Sequence, residues 1–142
     1  MRKCEVFVDG SSRGNPGVAG CAFIIYINGL KSFEGMKRLG IRTNNEAEYM
    51  GLIEALRKAQ ELGCEYVVIN TDSELLKKQL TGEYKVRAEN LKKLHEDCRS
   101  LLSCFKVWEI NHISREFNKL ADKFAKKMSK EGEDGAKKVS DF

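Results

Sequence analysis

The sequence predicts an α/β fold with a five-stranded mixed sheet, in which an antiparallel three-strand meander joins parallel strands and helices flank the sheet. Two observations predict this architecture. Three strand-like segments follow one another at the start of the chain, and strand-like and helical segments alternate after them. Consecutive strands favour antiparallel pairing, whereas strands separated by helices favour parallel pairing through right-handed crossovers. At 142 residues the chain is long enough for one domain with a sizeable core.

The predicted meander consists of strands at residues 4–8, 17–26 and 31–39. The first strand is rich in valine and phenylalanine and stops at Asp9-Gly10, before a glycine-rich turn. Asn28-Gly29 separates the second strand from the third and is a typical hairpin signal.

The first helix is predicted over residues 44–62. Thr43 and Glu46 have the spacing of a capping box, and apolar residues follow them at helical spacing. Similar patterns predict the rest of the chain: a strand at 66–71, a short helix at 73–80, a helix at 91–102, a strand at 105–110, a helix from about Ser114 whose apolar face includes Phe117, and a polar tail at 131–142.

Composition narrows the cellular setting without identifying a function. The net charge of +4 and the pI of about 8.8 permit a polyanionic partner but do not require one. The first residues contain no signal-peptide core and no apolar run approaches bilayer length, so we expect a cytoplasmic protein.

The five cysteines are widely spaced and form no C-x-x-C pair, which predicts buried, reduced thiols: Cys4, Cys21, Cys64, Cys98 and Cys104.

Three carboxylates are predicted to meet at one edge of the sheet. Asp9 and Asp72 each follow an apolar strand-like run, and the carboxyl ends of parallel strands share an edge. Glu48 lies four residues before Leu52, on the helix face that packs on the sheet. Asp122 lies on the flank of the last apolar stripe, where that helix can meet the same edge. Taken singly, each aspartate has an equally good structural interpretation as a turn residue, a cap or a solvated helix charge.

Clustered carboxylates with few histidines or thiols suit the hard cations Mg²⁺ and Mn²⁺ better than zinc. Two such ions about 4 Å apart activate a water and stabilise the leaving oxygen of a phosphodiester. Phosphodiester hydrolysis is therefore the chemistry that this set of side chains predicts.

Four motifs, in order and at matching intervals, make the chain resemble type 1 ribonuclease H over nearly its whole length. The motifs are Asp9-Gly10-Ser11-Ser12-Arg13-Gly14-Asn15-Pro16-Gly17, Thr43-Asn44-Asn45-Glu46-Ala47-Glu48, Thr71-Asp72-Ser73 and the segment 112–122. The resemblance implies a ribonuclease H-like catalytic domain over residues 1–130, and the polar composition of residues 131–142 predicts a flexible tail. It also implies cleavage of the RNA strand of an RNA/DNA hybrid, leaving 5′-phosphate and 3′-hydroxyl ends. Two Mg²⁺ ions, or Mn²⁺ as a substitute, would be held by Asp9, Glu48, Asp72 and Asp122.

The same resemblance implies contacts with both strands of the hybrid. Asn15 and Asn45 look like the family's asparagines for ribose 2′-hydroxyls, the groups by which RNA differs from DNA. Thr43 and Asn44 would help to hold the phosphate and backbone of the DNA strand. Structural interpretations stand beside these, since Asn15 is also suited to a turn and Thr43 to a helix N-cap.

Three departures from the family pattern concern substrate binding and catalysis. Glu74, a predicted substrate contact, stands where many relatives have glutamine, and a carboxylate cannot donate a hydrogen bond. Some relatives carry a histidine ten residues before the last aspartate and others an arginine seven residues before it, whereas this chain has both, His112 and Arg115. We expect His112 to aid proton transfer or product departure, with Arg115 as the fallback. The segment 81–88 lacks the basic insertion of some relatives. Four nearby basic residues either substitute for it in part or form a solvated face: Lys77, Lys78, Lys85 and Arg87.

Two other functional classes compete with a nuclease. A non-catalytic module of the same fold would bind double-stranded nucleic acid, but the presence of all four carboxylates argues against it. A nucleotide-binding Rossmann-like protein needs a G-x-G-x-x-G loop that leads into a helix, whereas residues 14–17 lead into a strand. We therefore expect a monomeric, metal-dependent endoribonuclease that acts on RNA/DNA hybrids, with no membrane association and no obligate protein partner.

Overall fold

The computed structural model describes residues 1–134, which form five strands, four α-helices and a short 3-10 helix. The strands are β1 (Lys3–Ser12), β2 (Gly17–Ile27), β3 (Leu30–Arg42), β4 (Tyr66–Thr71) and β5 (Val107–His112). The helices are α1 (Asn44–Glu61), α2 (Glu74–Leu80), α3 (Glu89–Leu102) and α4 (Lys119–Asp134), and the 3-10 helix is Arg115–Phe117. The first four residues of the predicted tail are thus helical, and residues 135–142 lie outside the described residues. Within residues 1–134, no helix combines the length and the apolar character needed to cross a membrane.

The strands form one mixed sheet in the order β3-β2-β1-β4-β5, which confirms the predicted fold class. β1 pairs antiparallel with β2, and β2 with β3, as expected for a meander. β4 and β5 extend the sheet in parallel with β1. The parallel pairing of β1 with β4 ends at Val8 and Thr71, so Asp9 and Asp72 are the next residues along the two chains.

Helices cover both faces of the sheet, and the side chains of β1 alternate between them. Val6 and Val8 join the main core with apolar residues of α1, α2 and α3. Phe7 points to the opposite face, on which α4 packs. α4 lies close to β2 because Gly20 has no side chain: a Cβ there would lie 2.4 Å from the Cβ of Met128. This packing anchors α1 and α4 near the carboxyl end of β1.

α1 begins with the predicted capping box. The Glu46 N–H donates to the Thr43 side chain at 3.1 Å, and the Thr43 N–H donates to Glu46 Oε1 at 2.8 Å. The start of the helix runs against β1 at Gly10, where an added Cβ would lie 2.3 Å from the carbonyl carbon of Ala47. The absence of a side chain at this position therefore allows α1 to bring Glu48 next to the end of the β1–β4 pairing.

Some strands are longer than the predicted ones or shifted from them. The strand predicted at residues 105–110 lies two residues later, because its pairing with β4 starts at Val107. Phe105 is buried in the turn before β5 and belongs to the core. β1 continues to Ser12 through its pairing with β2, so Asp9 lies within a strand instead of closing one.

The last helix begins later than the prediction of a start near Ser114. A 3-10 helix comes first, and α4 starts at Lys119. Asn118 separates the two, because its Nδ2 turns inward and donates to the Val8 carbonyl at 3.0 Å. Phe117 is consequently 70% exposed and does not line the apolar face of the helix as predicted.

The prediction of buried, reduced thiols is wrong for three of the five cysteines. Cys4 and Cys64 form a disulfide with a Cα–Cα distance of 5.8 Å, although 60 positions separate them in sequence. The parallel pairing of β1 with β4 brings them together, and such a tertiary contact leaves no signature in cysteine spacing. Cys104 is exposed, whereas Cys21 and Cys98 are buried free thiols as predicted.

Gly10→Ala is expected to lower the free energy of unfolding by about 2–3 kcal/mol, because the added methyl group collides with the backbone of α1. Chemical denaturation followed by circular dichroism measures the loss. Gly29→Ala is the matched control: its surroundings are open, so only the cost of its φ of +77° remains, about 1 kcal/mol. Equal losses in the two variants would contradict a close contact at Gly10.

Candidate metal centre

Three carboxylates meet at the carboxyl end of the β1–β4 pairing. One oxygen from each of Asp9, Glu48 and Asp72 lies within 4.8 Å of the other two. The two aspartates follow paired residues of parallel strands, whereas Glu48 comes from the second turn of α1. All three are withdrawn from solvent, with exposures of 3% for Asp9, 9% for Glu48 and 7% for the Asp72 side chain. The structure thus brings together these three residues, which the sequence placed at one sheet edge.

Glu48 is held in place by the backbone of β1. The Gly10 N–H donates to Glu48 Oε1 at 2.5 Å, a contact that depends on the close approach of α1 to this strand. Other glutamates of α1 have different partners: Glu46 caps the helix, and Glu54 pairs with Arg57 at 3.1 Å. Glu48 is the glutamate of α1 that belongs to the carboxylate cluster.

Asp122 approaches the cluster from α4 but stays at its edge. Its carboxyl hydrogen-bonds with Asp9, while Lys126, one turn later, lies 3.2 Å from Asp122 Oδ2. Asn118, one turn earlier, fixes this part of the helix through its hydrogen bond to the Val8 carbonyl. The fourth predicted carboxylate is therefore adjacent to Asp9, outside the group of three whose oxygens lie within 4.8 Å of one another.

Burial and mutual repulsion make the cluster hard to ionise fully. Burial raises the pKa of Asp9, and the charges of Glu48 and Asp72 raise it further. Burial also raises the pKa of Glu48, with a contribution from Asp72, while hydrogen bonds from Asp9 and the Gly10 N–H oppose the rise. Without a compensating cation, Asp9 and Glu48 therefore hold their protons more tightly than isolated carboxyl groups do.

The cluster has the donors that a hard divalent cation needs. Its ligand atoms are carboxylate oxygens, which Mg²⁺ and Mn²⁺ prefer. Asp72 Oδ2 is buried and has no hydrogen-bond partner among the residues that the structure describes, so it can still accept a ligand. A cation would also offset the repulsion that raises the pKa of Asp9 and of Glu48. On these grounds the residues present fit a metal ion.

The two candidates for assisting catalysis lie at different places relative to the cluster. Arg115 Nε is 3.5 Å from Asp72 Oδ2, and its charge opposes the rise in the pKa of Glu48. His112 is the exposed last residue of β5 and is in register with Thr71, the residue before Asp72. The arginine thus contacts a carboxylate, and the histidine lies beside the site at the edge of the sheet.

The predicted substrate-contact residues near α1 also stabilise the fold there. The Asn44 N–H donates to Asn15 Oδ1 at 3.2 Å, and the Ser12 N–H donates to Asn44 Oδ1 at 2.8 Å. Thr43 is the helix N-cap, as its structural interpretation predicted. Asn45 is exposed in the first turn of the helix. These contacts hold the β1–β2 turn against the start of α1.

Glu74 and the basic residues around it lie on α2 and the loop after it. Glu74 is exposed and pairs with Lys78 at 3.2 Å. Lys78 Nζ also lies 4.9 Å from the centre of the Tyr84 ring. Lys85 and Arg87 are exposed in the loop that leads to α3. None of these residues is a member of the carboxylate cluster.

Three residues that support the site were not singled out from the sequence: Gly10, Asn118 and Lys126. Gly10 follows Asp9 directly, and the other two flank Asp122 at four residues before and four after it, on one helix face. The i to i+4 spacing is a usable signal, but helix surfaces carry many such pairs. The tertiary contact of Asn118 with β1, and the position of Asp122 beside Asp9, distinguish these from ordinary surface residues.

The chain matches proteins of one family in sequence and in structure. Residues 7–128 match a family described as reverse transcriptase-like. Ribonuclease HI of Halobacterium salinarum is 37% identical over 124 residues, which cover 87% of this chain and 62% of that protein. The N-terminal RNase H domain of Rv2228c from Mycobacterium tuberculosis, solved as a fusion with maltose binding protein, has a TM-score of 0.93 at 32% identity; the match covers 96% of this chain and 100% of that one.

A third similar protein was solved with a nucleic acid. LC11-RNase H1 in complex with an RNA/DNA hybrid has a TM-score of 0.82 at 33% identity, covering 87% of this chain and 94% of that one. The chain spans only part of its relatives' length, 62% of the Halobacterium protein and 34% of the bifunctional protein Rv2228c. The matched family segment, residues 7–128, contains all four predicted carboxylates.

Asp9→Asn is expected to stabilise the metal-free protein, because it removes a buried carboxyl whose pKa is raised by burial and by its neighbours. The folded state holds that proton more tightly than the unfolded chain, so its stability falls as pH rises from about 4 towards the raised pKa. The gain from the substitution therefore grows with pH, to about 1–3 kcal/mol at about pH 8. Thermal melts in EDTA over a range of pH measure it.

Mg²⁺ provides the complementary measurement. It should raise the melting temperature of the parent protein and have a much smaller effect on Asp9→Asn, since the variant has lost a ligand. Asp97→Asn makes the same substitution on α3, where Asp97 pairs with Lys93 at 3.1 Å. This control should show no stability gain that grows with pH, and Mg²⁺ should raise its melting temperature as much as that of the parent. A gain for Asp9→Asn that does not change with pH, or equal Mg²⁺ shifts in parent and variant, would contradict this account.

Proposed function

The chain belongs to the type 1 ribonuclease H family, and from that premise we propose that it is a metal-dependent endoribonuclease. It hydrolyses the RNA strand of RNA/DNA hybrids and leaves 5′-phosphate and 3′-hydroxyl ends. The observation that carries the proposal is the buried cluster of Asp9, Glu48 and Asp72, whose oxygens lie within 4.8 Å of one another. The hybrid-bound structure of LC11-RNase H1, 33% identical to this chain, supports this substrate.

The four carboxylates would together bind two Mg²⁺ ions, with Mn²⁺ as a substitute. Asp9, Glu48 and Asp72 would be the main ligands, and Asp122 would complete the site from α4. Two ions bound there would supply an activated water and would stabilise the leaving oxygen of the phosphodiester. The carboxylates concentrate negative charge at this edge, so the scissile phosphate can approach the cluster itself only where cations offset that charge. The Gly10 N–H donates to Glu48 Oε1 and so orients this carboxylate.

Selectivity for a hybrid requires contacts with both strands. We assign Asn15 and Asn45 to the 2′-hydroxyls of RNA, and Thr43 and Asn44 to the phosphate and backbone of DNA. Their position supports this assignment, since the hydrogen bond between Asn15 and Asn44 joins the two groups beside the start of α1. Glu74 offers only acceptor oxygens, so its contact would be a hydrogen bond that a 2′-hydroxyl donates.

A non-catalytic module that binds double-stranded nucleic acid through the same fold is the alternative. Such a module gains nothing from buried carboxylates, because they repel a phosphate backbone and reduce the stability of the fold. Their presence therefore favours the nuclease. Cytoplasmic localisation, a monomeric state and a domain limit at residue 130 stay predictions from the sequence.

The purified protein should cleave the RNA of a labelled RNA/DNA hybrid when Mg²⁺ is present and leave it intact in EDTA. Asp72→Asn should reduce cleavage by more than about a hundredfold while keeping hybrid binding, because the amide preserves the shape of the side chain but loses the charge that a metal requires. Gel electrophoresis with end-group analysis measures cleavage and product ends. Asp97→Asn is the control on α3.

Two outcomes would contradict the nuclease. Intact RNA under both conditions, from protein with a cooperative thermal transition, would exclude hybrid cleavage. Tight hybrid binding by the parent without cleavage in Mg²⁺ or Mn²⁺ would favour the binding module.

His112→Ala should slow single-turnover cleavage by about ten- to a hundredfold, because an imidazole transfers a proton or aids product departure and does not hold the metal. His95→Ala is the matched control, since His95 contacts the Gln79 carbonyl at 3.2 Å and is outside the carboxylate cluster. An unchanged rate in His112→Ala with a large loss in Arg115→Ala would transfer the role to Arg115, which lies 3.5 Å from Asp72.

A further inference from the structure

Lysines on α4 form a stripe that leads away from the carboxylate cluster. Four of them recur at intervals of four, three and four residues and share one face of the helix: Lys119, Lys123, Lys126 and Lys130. All four are exposed, and the stripe is about 16 Å long at about 1.5 Å per residue. The opposite face of α4, which includes Ala121, Ala125 and Met128, is buried against the sheet. This lysine stripe therefore faces solvent.

A groove of about 600 Å³ runs between the lysine stripe and the β1–β2 turn. Three stripe lysines line one wall, and Ser12 and Arg13 line the other. No carboxylate lines it among the residues that the structure describes. Lys126 connects the groove to the metal centre, because its Nζ lies 3.2 Å from Asp122 Oδ2.

The lysine stripe differs from most other lysines of residues 1–130 in having few acidic partners. Elsewhere, seven lysines form ion pairs with carboxylates: Lys31, Lys37, Lys58, Lys78, Lys92, Lys93 and Lys106. Within residues 1–130, Lys126 is the stripe lysine that has such a partner. On α3, by contrast, Lys92 and Lys93 each pair with an acid three or four residues away. Uncompensated positive charge beside a phosphodiesterase centre instead favours a polyanion.

We propose that this groove binds backbone phosphates of the RNA strand beyond the scissile position, an inference that rests on the proposed nuclease function. The strand that is cut passes through the carboxylate cluster, and Lys126 leads from Asp122 into the groove, so the same strand continues there. Phosphates of one strand follow at about 3.4 Å along the duplex axis, so the lysine stripe spans several of them. Ammonium groups contact phosphates without reading bases, so the groove adds affinity and no sequence preference.

The salt dependence of hybrid binding tests the groove. All variants are made in an Asp72→Asn background, which prevents cleavage. Lys123→Gln/Lys130→Gln should weaken binding of a fluorescent hybrid by about tenfold at about 0.1 M salt and reduce the slope of log affinity against log salt by about one to two. Lys126 is left in place because it contacts Asp122.

A double variant with the same charge change is the control. Lys31→Gln/Lys106→Gln removes two positive charges at the other end of the sheet, near Tyr26 and the start of β5, and should change neither affinity nor slope. Equal effects in the two double variants would overturn the proposal, since they would reflect net charge alone. Failure of the unmodified protein to cleave a hybrid would contradict the proposed function and leave this binding comparison interpretable.

Neutral methylphosphonate linkages identify the strand. In separate substrates, the linkages are placed in the RNA upstream or downstream of the cut. One of these two placements should remove the difference in affinity between the Asp72→Asn protein and Lys123→Gln/Lys130→Gln in the same background, because the phosphate charges that these lysines contact are then gone. Placed in the DNA strand, they should leave that difference intact. Loss of the difference with modified DNA only would overturn the assignment to RNA.

Discussion

The mutual repulsion of Asp9, Glu48 and Asp72 is the interaction that the surrounding structure has to offset. Three buried carboxylates with oxygens within 4.8 Å of one another are unfavourable unless protons or cations neutralise them. The sheet contributes two of them through the paired ends of β1 and β4, and α1 contributes the third across the gap at Gly10. Backbone hydrogen bonds and helix packing thus hold together side chains that would separate in water.

Positive groups lie at the rim of this negative centre. Arg115 contacts Asp72 from the 3-10 helix after β5, and Lys126 contacts Asp122 from α4. The arginine side chain is 71% exposed and the lysine side chain 59%, so each ion pair contributes less than about 1 kcal/mol. Contacts of that size leave most of the repulsion in place. The centre therefore stays available to a cation.

The parts of the site that follow from local periodicity were predictable from the sequence. The positions of Asp9 and Asp72 after apolar runs, and of Glu48 at helical spacing, are patterns that short windows of sequence contain. The extension of β1 beyond Asp9 depends on its pairing with β2 and was not predicted. Asp122 owed its assignment mainly to the family resemblance, because the start of its helix depends on a hydrogen bond from Asn118 to a residue 110 positions away. The disulfide between Cys4 and Cys64 likewise joins residues 60 positions apart. Contacts of this kind become apparent only when the chain is folded.

The parallel pairing of β1 with β4 makes metal affinity depend on strand register. Side chains alternate between the two faces of a sheet, and successive residues are about 3.3 Å apart along a strand. A slip of one residue between these strands would carry one aspartate to the wrong face and separate it from the other. A chain with that pairing error would keep most of its backbone hydrogen bonds and lose the cation site. An ion held by the three carboxylates would stabilise the correct pairing alone, so the same side chains that weaken the metal-free fold would discriminate against its misaligned forms.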